Sequence, residues 1–157
     1  MIRHPIPPVW DENSRVLILG SFPSVRSREE GFFYGHPRNR FWKVLAALFS
    51  EPEPRSTEEK KALLHRHRIA LWDVIGSCEI RGSQDSSITG AVPNDLSSIL
   101  QNAPIQRIVL NGKTAEKFYR RYHPDLPIPA VTLPSTSPAN AAKALPELIE
   151  AWRGILP

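Results

Sequence analysis

Four short apolar runs punctuate this chain: VLILG at 16–20, IALWDVI at 69–75, QRIVLN at 106–111 and PAVTL at 129–133. Each is too short for a core helix and apolar at successive positions, so each reads as a strand that must be covered on both faces. Between them lie stretches with helical spacing. Residues 39–49 place Phe41, Trp42, Val44, Leu45, Leu48 and Phe49 on one stripe, and Ser56 or Thr57 caps a charged helix running to Arg66. Further helices are expected over 94–101, 114–122 and 141–155, and residues 76–92, without a period, read as loop. Strands separated by helices predict a parallel sheet clothed on both sides, with its ligand site beyond the carboxyl ends of the strands.

At 157 residues the chain is of single-domain size, 1–157, and 41% hydrophobic with 23% charged residues is a globular composition rather than a disordered or fibrous one. No apolar run approaches the length of a bilayer span. The opening MIRHPIPPVW carries prolines where an export signal needs an unbroken apolar stretch, and Cys78 stands alone, which together point to a reducing cytoplasm. The formal net charge is +4, and arginines outnumber lysines, 14 to 6. Guanidinium forks suit phosphate oxygens, so a polyanion, nucleic acid first, is the expected partner. No metal or cofactor is expected: thiols are too few, and His65 and His67 lack the spacing of a zinc pair.

Three loops should meet at one sheet edge: 20–39, 73–90 and 134–140. The first mixes aromatics with arginines in GFFYGHPRNRFW, giving faces for stacking beside cations for phosphates. The third, LPSTSPAN, is stiff and rich in hydroxyls, able to hold a phosphate through amides and side chains. From the residues alone, Asn39 reads as a cap for the following helix, Asn111 before Gly112 as a turn, and His36 as a structural loop residue.

The blocks GSFPS (20–24), YGHPRNRFW (34–42) and LPSTSPAN (133–140) look like the motifs of the uracil-DNA glycosylase superfamily. The stretch GFFYGHPRNRFWKVL is especially similar to the mismatch-specific uracil/thymine glycosylases, and with LWDVIGSCE the ordered set looks most like the hypoxanthine-DNA glycosylase branch. The resemblance runs from about residue 15 to 153. It implies an α/β fold, a three-layer α/β/α sandwich with a central, mostly parallel four- to five-stranded sheet. It also implies a monomeric enzyme that flips a deaminated base out of double-stranded DNA and hydrolyses its N-glycosidic bond, without metal, cofactor or obligate protein partner.

One departure shapes the site assignment. Where related enzymes carry Asn or Asp to hold the attacking water, this chain has Phe22. The resemblance therefore moves water positioning to Asn39, whose carboxamide can aim a water without acting as a base. That suffices when the sugar becomes oxocarbenium-like before attack. It assigns base stacking to Tyr34 and places Ser21, Phe22 and His36 around the base. Arg38 and Arg40, with Arg26 beside them and the segment Pro134, Ser135, Thr136 and Ser137, are assigned to the DNA. Asp73 takes the base-reading position by motif order. An ionised carboxylate accepts from the ring N–H of hypoxanthine or uracil and meets a lone pair on adenine or cytosine. Its alternative is a cap for the following turn. The competing function is a DNA- or nucleotide-binding module of the same fold that has lost catalysis at Phe22.

Overall fold

The computed structural model describes residues 1–156. In chain order it contains β1 (Ile2–Arg3), β2 (Val16–Gly20), α1 (Val25–Glu30), α2 (Phe41–Leu48), α3 (Thr57–Arg66), β3 (Ile69–Asp73) and β4 (Ile75–Glu79). There follow β5 (Thr89–Pro93), α4 (Ser97–Asn102), β6 (Arg107–Asn111), α5 (Lys113–Tyr122), β7 (Ala130–Leu133) and α6 (Leu145–Trp152). The four apolar runs form one sheet of order β3-β2-β6-β7, parallel throughout. In register, Leu17 lies between Ala70 and Ile108, and Ile18 between Leu71 and Val109.

Period-two alternation divides these strands between two cores. Ile18, Ile69, Leu71 and Val109 join Phe41, Leu45, Leu63, Leu64, Leu148 and Trp152 of α2, α3 and α6. Leu17, Leu19, Ala70, Ile108 and Leu110 join Ile99, Ala115 and Phe118 of α4 and α5 on the opposite face. This is the expected three-layer sandwich. The central strands β2, β3 and β6 are buried on both faces, and their cores are apolar at every position for that reason, whereas the edge strand β7 is largely exposed.

The structure corrects several boundaries. The 69–75 run ends as a strand at Asp73. There the chain turns across the end of β2, Val74 N–H donating to Gly20 O at 2.8 Å and Ile75 N–H to Ser21 O at 3.1 Å. Residues 76–92, expected as loop, carry most of β4 and β5; β4 pairs antiparallel with β5 on one side and with β1 on the other to make a second, three-stranded sheet. Their exposed, irregular register explains the missing period. The first loop contains α1, capped by Ser24 and closed by Gly31. The closing helix begins at Leu145 rather than near 141, because Lys143 and its neighbours are tied to Arg40 instead. No described helix is long and apolar enough to cross a membrane.

Candidate active site

The sheet order has its crossover at β2, with β3 on one side and β6 on the other. The crevice at the carboxyl ends of these strands is where such a sheet places ligands. β2 ends there in Gly20, which contributes no side chain. A Cβ at this position would collide with Asp73 Oδ1 and lie 2.9 Å from Tyr34 Oη. Glycine thus lets the carboxylate from β3 and the phenol from the first loop converge over the end of β2.

Asp73 is 3% exposed. Its Oδ2 lies 2.7 Å from His4 Nε2, and the two side chains are 5% and 2% exposed respectively. Among the described residues, Oδ1 has no hydrogen bond. The backbone O of Asp73 accepts from Asn94 Nδ2 at 2.9 Å, and the same amide reaches Ile75 O, so the turn after β3 is pinned by Asn94 rather than by the Asp73 side chain. The capping alternative for Asp73 has no hydrogen bond to support it.

Tyr34 adopts φ 54° and lays its ring on Phe41, centroids 4.1 Å apart and planes 22° from parallel. Its hydroxyl accepts from Asn111 Nδ2 at 3.1 Å. Burial first, and the Asp73 carboxylate second, push the phenol well above the ordinary tyrosine range, so the hydroxyl keeps its proton and has it to donate.

Asn111, expected as a turn residue, is the hub of this side. Its Nδ2 donates to Tyr34 Oη and to Thr136 Oγ1, and its Oδ1 accepts from Thr136 N–H at 3.0 Å. Thr136 is 0% exposed, which corrects its assignment to the DNA surface: its N–H and Oγ1 are both held by Asn111. The rest of the third loop is anchored as tightly. Pro134 O accepts from Trp152 Nε1, Ser135 O from Asn140 Nδ2, and Thr136 O from Arg40 N–H. The hydroxyls of Ser135 and Ser137 accept from the amides of Ser137 and Ala139. Gly112 beneath, at φ 95°, leaves room that a Cβ would take from Ser135.

Arg40 is also redirected. Its guanidinium donates to the carbonyls of Ser137, Asn140 and Lys143, bracing the third loop from within. Arg38 is exposed beside it, whereas Arg26 pairs with Glu30 at 2.7 Å. Asn39 is half-buried in the junction of the first and third loops. Its Oδ1 accepts from Phe41 N–H at 3.0 Å, so it does cap α2, while its Nδ2 is uncommitted among the described residues. His36 folds the turn, its Nδ1 accepting from Arg38 N–H and its carbonyl from Asn39 N–H.

Phe22 is buried, edge-on to the His4 ring at 5.8 Å and beneath the Arg28 guanidinium. Phe22 thus packs under the sheet edge, with its ring against His4. Ser21 donates to Asp85 Oδ1 at 3.0 Å, drawing the second loop toward the site. Asp85 itself is exposed, but partial loss of hydration around its carboxyl, reinforced by the Asp73 charge, pushes it above its ordinary value against the pull of Ser21 and Thr114. The three expected loops therefore do meet at this edge.

Sequence reasoning did not find His4, Asn111 or Asp85 as site residues. Asn111 was reachable from topology, since it ends the strand beside the crossover; His4 and Asp85 lie in segments without periodicity or motif.

Comparison with known proteins bears on the family and the fold. A model of the uracil DNA glycosylase superfamily matches residues 7–155. A hypoxanthine DNA glycosylase of Methanosarcina acetivorans is 37% identical over 142 residues, 89% of each chain, and one of Methanosarcina barkeri is 35% identical over 120 residues, 75% of this chain and 76% of that one. The solution structure of a candidate uracil DNA glycosylase from Methanosarcina acetivorans superposes with a TM-score of 0.82 at 34% identity, covering 99% of both chains. With the strand ends, the Gly20 gap and the ordered loops all in place, the chain belongs to the uracil DNA glycosylase superfamily.

Proposed function

We propose that this member of the superfamily is a monofunctional DNA glycosylase for deaminated bases, with hypoxanthine its first substrate and uracil its second. The observation that carries the reading is the free acceptor Asp73 Oδ1 facing Tyr34 Oη across the bare end of β2. Hypoxanthine presents an N–H beside a carbonyl; adenine presents a lone pair where that N–H would be. Asp73 accepts from the N–H, and a lone pair against it would leave two unpaired acceptors, at about 1–3 kcal/mol each. The 35–37% identity to proteins named for hypoxanthine supports this order of substrates.

In this reading the duplex lies across the first and third loops, with Arg38 on phosphates and the braced 134–137 segment pressed to the backbone. Arg40 acts by holding that segment rather than by touching DNA. The target nucleotide swings out, at a few kcal/mol that a mispair lowers. Its base stacks on the Tyr34 face opposite Phe41, near Phe22, Ser21 and His36. Asn39 aims a water at the anomeric carbon through the carboxamide groups its cap leaves free. As the glycosidic bond breaks, the electrons pass to the base, and the protonated Tyr34 hydroxyl lies beside the carboxylate to offset its charge. Water then adds its oxygen to the anomeric carbon, and the proton it releases neutralises the departed base, giving an abasic site and the free base. No lysine stands in these loops to form a Schiff base, so the strand stays intact.

Single-turnover incubation with labelled duplexes carrying one hypoxanthine, one uracil or a G·T mispair, followed by alkali and a denaturing gel, tests this. Cleavage at hypoxanthine is the expected result. Duplex binding without cleavage at any base would favour the non-catalytic binding module, which the apolar Phe22 makes the second reading.

A further inference from the structure

We propose that His4 is a positioning residue for base reading: it holds one oxygen of Asp73 so that the other faces the base as an acceptor. The proposal rests on the role given to Asp73 above and adds to it a residue far outside the recognised motifs, 69 positions from its partner.

The hydrogen-bond pattern fixes where the proton lies. Ile6 N–H donates to His4 Nδ1 at 3.2 Å, so Nδ1 is an acceptor and carries no hydrogen. A neutral imidazole then has its hydrogen on Nε2, 2.7 Å from Asp73 Oδ2, and donates it there. The proton that a carboxylic acid would carry has no place on that oxygen. Oδ1 is what remains for the ligand, and it lies over Gly20 beside Tyr34 Oη.

The surroundings hold the imidazole in this pose. Phe22 and Trp72 meet it edge-on at 5.8 and 6.2 Å, and Phe33 lies 6.0 Å away, tilted. His4 N–H donates to Gly76 O at 2.7 Å, while Ile6 O accepts from Trp72 Nε1 at 3.2 Å. The segment from β1 onward is thus laced to β3 and β4, and its His4 side chain, 2% exposed, points at the base reader. A carboxylate 5% exposed and without a partner would be costly to bury; the His4 N–H offsets that cost while leaving Oδ1 uncommitted.

Two measurements test this. Long-range proton–nitrogen correlation of the ¹⁵N-labelled protein should show the His4 ring protonated at Nε2 alone; a ring protonated at Nδ1 would overturn the assignment. Duplex affinity then reports the role. With 2′-fluoro-deoxyinosine, whose electron-withdrawing fluorine slows loss of the base, His4→Phe should weaken binding about tenfold or more. With a tetrahydrofuran abasic duplex, which offers no base to read, it should change binding by less than about twofold. His4→Gln, whose amide N–H reaches about as far as Nε2, should recover most of the loss. Equal weakening on both duplexes, or a Gln variant no better than Phe, would show a merely structural residue. Wild type binding both duplexes equally would instead refute base reading by Asp73 itself, whatever the His4 tautomer.

Discussion

Asp73 and Asn111 end the two strands that flank β2, on either side of the bare Gly20. Both are buried and polar, yet they are wired differently. Asn111 spends its amide inside the protein, with two bonds from Nδ2 and one to Oδ1. Asp73 spends one oxygen on His4 and keeps the other. A saturated polar group fixes neighbours in place, whereas a half-saturated one in a crevice is unfinished until a ligand arrives. On this view Asn111 builds the wall of the site and Asp73 reads what enters.

The largest expected effect lies with a third group that shares the half-committed pattern. Asn39→Ala should slow base release by about a hundredfold or more while leaving duplex affinity within about twofold, as measured by single-turnover kinetics and fluorescence anisotropy. An intact rate would reduce Asn39 to its cap on Phe41. Next, Asp73→Ala should lower the selectivity for hypoxanthine over adenine by about ten- to a hundredfold in competition with paired duplexes, with a smaller fall in urea midpoint than Asn111→Ala, since only the His4 Nε2–H loses its partner while a buried charge is removed. The opposite pattern is expected across Gly20: Asn111→Ala should cost about 2–3 kcal/mol of stability in urea unfolding, since it strands the Thr136 amide. If Asp73→Ala proved the more destabilising of the two, the division between reader and wall would fail.

That division was only half legible from sequence. The apolar runs gave the sheet because a strand covered on both faces has no polar positions to confuse its pattern, and the ordered motifs drew attention to Tyr34, Asn39 and Asp73, which the fold carries to one edge of that sheet. Asn111 was hidden by its neighbour, because an Asn-Gly pair carries the same letters whether it makes a turn or ends a strand at a crossover. His4 was hidden for a different reason: its partner is a single contact across the chain, and no local spacing encodes it. Arg40 and Thr136 brace the loop from within, and a motif match cannot distinguish a guanidinium or hydroxyl that faces DNA from one that holds the loop beneath.

Smaller effects sharpen the same contrast. Tyr34→Phe keeps the ring on Phe41 and removes one acceptor for Asn111, so about 1 kcal/mol of stability and a few-fold in rate are expected, read by thermal melting and gel assay. Asp85→Asn should show the sign of the crowded carboxylates. The raised Asp85 value means that its ionisation works against folding, so its contribution is present below about pH 4 and is lost as pH rises through the folded value. The variant should therefore gain melting temperature over wild type at pH 7 and not at pH 3.5. An equal shift at both pH values would remove the charge explanation.

Tyr34 holds its backbone at φ 54°, a left-handed conformation that a non-glycine residue takes at a cost of about 1 kcal/mol or more. Glycine there would relax the chain, and asparagine nearly so. The ring outweighs that strain, because its contact with Phe41 and its bond to Asn111 would both be lost with a small residue. A library selected only for heat resistance should thus keep an aromatic at position 34, so that thermal robustness and the stacking face are selected together at a single residue, and sequencing the survivors would show it.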